Sequence, residues 1–127
     1  MRIRVPMAMY GGLALITAAI ALPQISKAEY SIIGIGNNSC GYWTEQHAKD
    51  NTLAHVLDQW LGGYFSGFDA ATIVLAEERE WAGNISRGTD FSGLKAWVSN
   101  YCRDNPLDKI FKAAESLVVD LVKRQDQ

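Results

Sequence analysis

Catalytic equipment is what this 127-residue chain has least of. Its two histidines, His47 and His55, fall eight positions apart on different predicted segments, and each reads as a solvated or partly packed helix residue. There is no His-Glu-x-x-His pair, no cysteine pair at metal-binding spacing and no glycine-rich phosphate loop. These absences leave no catalytic group, metal or cofactor to assign, and the chain reads as a non-enzymatic protein. One apolar run near the start is the longest in the chain, and no second stretch is long enough to span a bilayer.

That first run has a specific form. Met1-Arg2-Ile3-Arg4 is positive, residues 7–22 are uncharged and apolar, and Pro23 breaks the run. Ser26-Lys27-Ala28 then places small residues at the −3 and −1 positions of a cleavage site. Positive start, apolar middle and small-x-small end are the parts of a secretory signal. The expectation is a signal peptide over 1–28 and one domain over 29–127, exported across the inner membrane to the periplasm. No cysteine follows the cleavage point, so a lipid anchor is not indicated. Removing Arg2, Arg4 and Lys27 leaves nine basic against fourteen acidic residues, a formal charge of −5. A surface of that sign repels nucleic acid and anionic lipid and suits a soluble protein or a basic partner.

Both cysteines, Cys40 and Cys102, lie in the expected exported domain. In an oxidising compartment two cysteines default to an intramolecular disulfide. Closing a loop of about sixty residues stabilises a fold by roughly 4 kcal/mol on the chain-entropy account. A domain of about a hundred residues has a modest core and benefits from such a staple.

Between the cysteines the periodicity is helical. Residues 30–36, YSIIGIG, are apolar and extended with no second strand to pair, which predicts an ordered arm. A short helix is expected over about Cys40–Lys49. Leu53, Val56, Leu57, Trp60, Leu61, Tyr64, Phe65 and Phe68 recur at i, i+3, i+4 and i+7, predicting a second helix capped by Asn51 or Thr52. Gly62, Gly63 and Gly67 interrupt it. The favoured reading is a continuous or kinked helix in which Gly63 and Gly67 share a face at a tight helix crossing; the alternative is an end near Gly62. A further helical piece is expected over 70–82, then a polar loop over 83–89. Asp90 caps a helix striped by Leu94, Trp97, Val98, Tyr101 and Cys102. Asn105 caps the last helix, with Pro106 at its first position and Asp108 at its third. Its apolar face runs from Leu107 and Ile110 to Leu121 and Val122. The fold class expected is an all-α, single-domain helical bundle with one disulfide.

Candidate contact residues are few. Glu77, Glu78 and Glu80 form an acidic run that suits either a solvated helix face or a docking patch for a basic partner. Trp43 and Trp81 lie outside the clearest apolar stripes and are the tryptophans best placed for an exposed contact.

Ser39-Cys40 with Trp43-Thr44, then Trp97-Val98 through Tyr101-Cys102 and a long amphipathic helix, resemble the HdeA/HdeB family of periplasmic acid-stress chaperones. Gly63-Tyr64 to Gly67, and Tyr101-Cys102 to Asn105-Pro106-Leu107, are similar to the Tai-type immunity proteins, which inhibit amidases delivered by type VI secretion. The first resemblance implies a chaperone acting under acid or envelope stress. The second implies an immunity or exclusion protein that caps one periplasmic partner. Both imply that the partners are other proteins, and a homodimer is left open.

Overall fold

The structure, a computed structural model, describes residues 30–75 and 78–127. The expected signal peptide over 1–28 lies outside the described residues. Among those residues there are four α-helices and no strand, joined by the expected disulfide. The helices are α1 (Cys40–Lys49), α2 (Thr52–Leu75), α3 (Phe91–Asp104) and α4 (Ile110–Gln125).

α1 starts at Ser39, whose hydroxyl accepts from the Tyr42 amide at 3.2 Å. It stops at Asp50, which takes the left-handed conformation with φ 47°. Asn51 starts α2, its Oδ1 accepting from the amides of Leu53 (3.0 Å) and Ala54 (3.2 Å). Two orphan donors of the helix end are satisfied by one side chain. α2 then runs unbroken for 24 residues through all three glycines. Its buried face is Ala54, Leu57, Asp58, Leu61, Phe65 and Thr72, whereas Leu53 and Val56 are exposed. Asp90 caps α3 through Oδ1, 2.8 Å from the Gly93 amide.

The expected helix over 70–82 is corrected: α2 ends at Leu75, and the described residues 78–83 form turns. Two side chains on the inner flank of α2 hold this connection down. Thr72 Oγ1 accepts from the Gly83 amide at 2.9 Å, and Asp69 Oδ1 from the Ile85 amide at 2.8 Å. Ile85 is fully buried as a plug.

The expected start of the last helix at Asn105-Pro106 is also corrected. Asn105 instead closes α3, donating from its amide and its Nδ2 to the Tyr101 carbonyl, both at 2.9 Å. Residues 106–109 lie outside any helix, and the carbonyls of Pro106 and Asp108 serve α1 instead. The Cys40 amide donates to Asp108 O at 2.7 Å and the Gly41 amide to Pro106 O at 2.8 Å. The loop after α3 is thus the N-terminal cap of α1, and α4 begins only at Ile110.

The disulfide stands at this junction. Cys40 and Cys102 are fully buried, with Cα atoms 4.6 Å apart. Trp43, Leu57, Leu61, Val98, Ile110 and Leu117 pack around it in one core. The arm is ordered as expected and ends in a 3-10 turn over Ile35–Asn37. The Trp60 indole N–H donates to Ile33 O at 3.2 Å. Gly36 lies flat on that indole, where a Cβ would fall inside the ring's van der Waals envelope.

Candidate functional site

An acid on the buried face of a helix requires partners, because an unpaired buried charge is costly. Asp58 sits on the inner face of α2 and is 12% exposed. Its Oδ1 lies 3.0 Å from His47 Nε2 of α1, and its Oδ2 lies 2.9 Å from Lys95 Nζ of α3. One carboxylate therefore ties three helices together. Burial pushes the Asp58 carboxyl up; hydrogen bonds from His47 and Lys95, and their charge, outweigh this and hold it below its ordinary value.

His47 is fixed from its other side. Its Nδ1 lies 2.9 Å from the Trp43 carbonyl, and its ring stacks on the Trp43 indole with centroids 4.2 Å apart. Both ring nitrogens thus face oxygen atoms, Nδ1 a backbone carbonyl and Nε2 a carboxylate. Each ring nitrogen is engaged within the fold, and through Asp58 the group clamps α1, α2 and α3 together. Among the described residues, no cluster of three or more His, Cys, Asp or Glu could hold a metal ion.

Trp43 belongs to this clamp, which corrects the expectation of an exposed contact. It is fully buried, and its indole N–H donates to Ser99 Oγ of α3 at 3.0 Å. Trp81 is half-buried and packs against the core, its N–H 3.3 Å from Asp126 Oδ1 near the chain's C-terminus. Arg79 reaches the same carboxylate at 3.5 Å. Trp81 therefore helps secure the connection after α2 to the end of α4. Glu78 and Glu80 are exposed, and Glu77 lies outside the described residues. His55 is exposed on α2 and takes no part in the clamp.

Gly63 and Gly67 are corrected too. Both are exposed, and among the described residues a Cβ on either would meet nothing within 4 Å, so none of the four helices crosses there. α2 packs through its opposite face, where Leu57, Leu61 and Phe65 are buried. Beside the glycines a shallow pocket of about 360 Å³ is lined by Ile33, Trp60, Gly63 and Tyr64. A second groove of about 500 Å³ separates Tyr64 and Phe68 from Lys112, Glu115 and Val119 on α4. Burial pushes the Tyr64 hydroxyl up from its ordinary pKa.

The sequence carries one signal for the clamp. Ala54, Asp58, Leu61 and Phe65 follow helical spacing, so Asp58 occupies a core position of an otherwise apolar stripe. A carboxylate there predicts buried cationic partners, although it does not name them.

Among the described residues no helix is long and apolar enough to cross a membrane. No protein-family model, curated protein or solved structure matches the chain.

Proposed function

We propose that this chain is an exported, non-enzymatic protein-binding domain of the HdeA-like kind, acting in the periplasm as an acid- or envelope-stress chaperone. The observation that carries the reading is the Asp58 clamp. A buried carboxylate held below its ordinary pKa contributes stability above the unfolded-state value, and that contribution is lost as pH falls through the folded value. Protonation weakens the bonds to His47 and Lys95 together, so the contacts of α1 and α3 with α2 loosen from one point. At the same pH the other carboxylates neutralise while Lys and Arg stay charged. The domain swings from net negative to positive, and self-repulsion opposes compactness. The inner stripe of α2, with Leu57, Leu61 and Phe65, then becomes available to apolar segments of other proteins. The Cys40–Cys102 bond, which closes a separation of 62 residues, keeps the opened chain short and recoverable.

The test is light scattering of an acid-denatured client at about pH 2–3, below the ordinary carboxylate range, with and without the protein, followed by neutralisation. Suppressed scattering and recovery of the client support the reading. Equal aggregation in both samples overturns it.

A further inference from the structure

The arm before α1 crosses between aromatic residues carried by two different helices. Tyr30 meets Phe111 of α4 edge-on, with ring centroids 6.5 Å apart. Ile33 O accepts from the Trp60 indole of α2, and Gly36 lies flat on that ring. Tyr64 stands one turn further along α2, its ring centroid 5.5 Å from that of Trp60. Trp60, Tyr64 and Phe111 thus form a berth built on α2 and α4, and the arm is its occupant.

The apolar track is longer than the arm that fills it. Tyr64 lines both the shallow pocket beside Ile33 and the groove that continues to Phe68 and Val119. Trp60, Tyr64 and Phe68 follow one another at single turns of α2, as Phe111, Glu115 and Val119 do on α4. The arm covers the Trp60–Phe111 end; at the far end Val119 is 51% exposed. The arm is also lightly held. Among the described residues, one hydrogen bond, from Trp60 to Ile33, ties residues 30–33 to the helices. Tyr30 is 57% and Ile33 87% exposed. Segments with few buried contacts and few hydrogen bonds open at low free energy.

The occupant shows the chemistry that the berth accepts. Residues 30–38, YSIIGIGNN, carry no charge, and residues 30–33 are neither helix nor strand. The donor that the berth offers, the Trp60 N–H, meets a backbone carbonyl, so it reads the chain and not a particular side chain. Where the segment crosses the indole it needs a glycine, because a Cβ at Gly36 would collide with the ring. Aromatic walls combined with a main-chain hydrogen bond are a recurring way to hold a non-helical peptide.

We propose that the Trp60–Tyr64–Phe111 berth and the groove beyond it bind an uncharged apolar segment of another polypeptide, and that the arm is an intramolecular stand-in which such a segment displaces. The site exists in the folded protein at neutral pH, so it does not depend on acid opening and is tested apart from it. The arm lowers the apparent affinity by the fraction of time the berth is open, and loosening the arm raises it.

Fluorescence anisotropy of a labelled YSIIGIGNN peptide titrated with the purified protein at neutral pH tests this. Ile35→Asp removes the arm's half-buried anchor, and Gly34→Val forces a β-branched residue to φ 89°. Both leave the berth residues untouched. Each variant is expected to bind the peptide at least about tenfold more tightly than the wild type, with unchanged helical circular dichroism. Gly63→Glu puts a charge into the pocket at a position with open space at its Cβ, and added to either variant it removes that gain. A peptide carrying Gly36→Leu loses most of its affinity for the loosened variants. No saturable binding to either loosened variant overturns the proposal. So does equal affinity for the wild type and both variants, or full affinity retained with Gly63→Glu or with the leucine peptide. Sedimentation of the wild type alone separates a foreign segment from a second copy: a dimer abolished by Gly34→Val would mean that copies exchange arms, and would overturn the assignment to another polypeptide.

Discussion

Lys95 Nζ of α3 lies 2.9 Å from Asp58 Oδ2 of α2, at a depth where the carboxylate is 12% and the lysine 34% exposed. The second oxygen of the same carboxylate meets His47 of α1. Removing one cation therefore leaves a buried acceptor short of a donor, a loss that typically costs about 1–3 kcal/mol. Lys95→Ala is expected to fall in that range, and Asp58→Ala at least as far, since it strands two donors. Urea unfolding of the single variants and the double variant at neutral pH gives the coupling. Strictly additive effects would mean that the pair behaves like solvated surface charges.

Trp43 supplies a second test of the same junction. It fills the space between α1 and α3 and reaches Ser99. Trp43→Ala is expected to cost about 3–5 kcal/mol, the range for deleting a buried large aromatic. Ser99→Ala leaves the buried indole N–H without its acceptor and should cost about 1–3 kcal/mol. A Trp43→Ala variant as stable as the wild type would return this residue to the surface role expected from sequence.

The helices were the legible part of this fold, and the reasons are local. Cys40–Lys49, the Asn51 cap and the Asp90 cap follow from side chains acting within one turn of their own helix. The paired cysteines were legible because two thiols leave one intramolecular pairing. What was not legible depended on a distant partner. Asn105-Pro106 has the residue types of a helix start, yet Pro106 and Asp108 carbonyls are engaged by the first amides of α1, more than sixty positions earlier. Trp43 falls outside a simple stripe because its environment is set by Ser99 and His47. Gly63 and Gly67 share one face of α2 by their spacing, but which face turns inward is decided by Leu57, Leu61 and Phe65 packing on the disulfide core. Of the candidate site, the cysteines were identified, while the clamp needed three helices to be brought together first.

The arm offers a test that does not involve the clamp. Gly36 lies against the Trp60 ring, and any Cβ there must push the indole or the arm aside. Gly36→Ala is expected to destabilise by about 1–3 kcal/mol, the usual cost of overpacking. The hydrogen bond from Trp60 to Ile33 should be lost with it, exposing residues 30–36 to limited proteolysis. Unchanged stability and unchanged protease resistance would contradict the observed packing.

The central claim is that Asp58 couples the packing of α1, α2 and α3 to acid, and urea midpoints measured from pH 6 down to about pH 2 for the wild type and Asp58→Asn test it directly. The folded carboxyl lies below its ordinary value, so its contribution is complete above the unfolded-state pKa of about 3.9 and disappears as pH falls through the folded value. The variant cannot titrate at this position. Asp58→Asn is expected to be clearly less stable than the wild type at pH 6, and the two curves to converge below about pH 4. Parallel curves, separated by the same amount at pH 6 and at pH 2, would show that Asp58 carries no acid response.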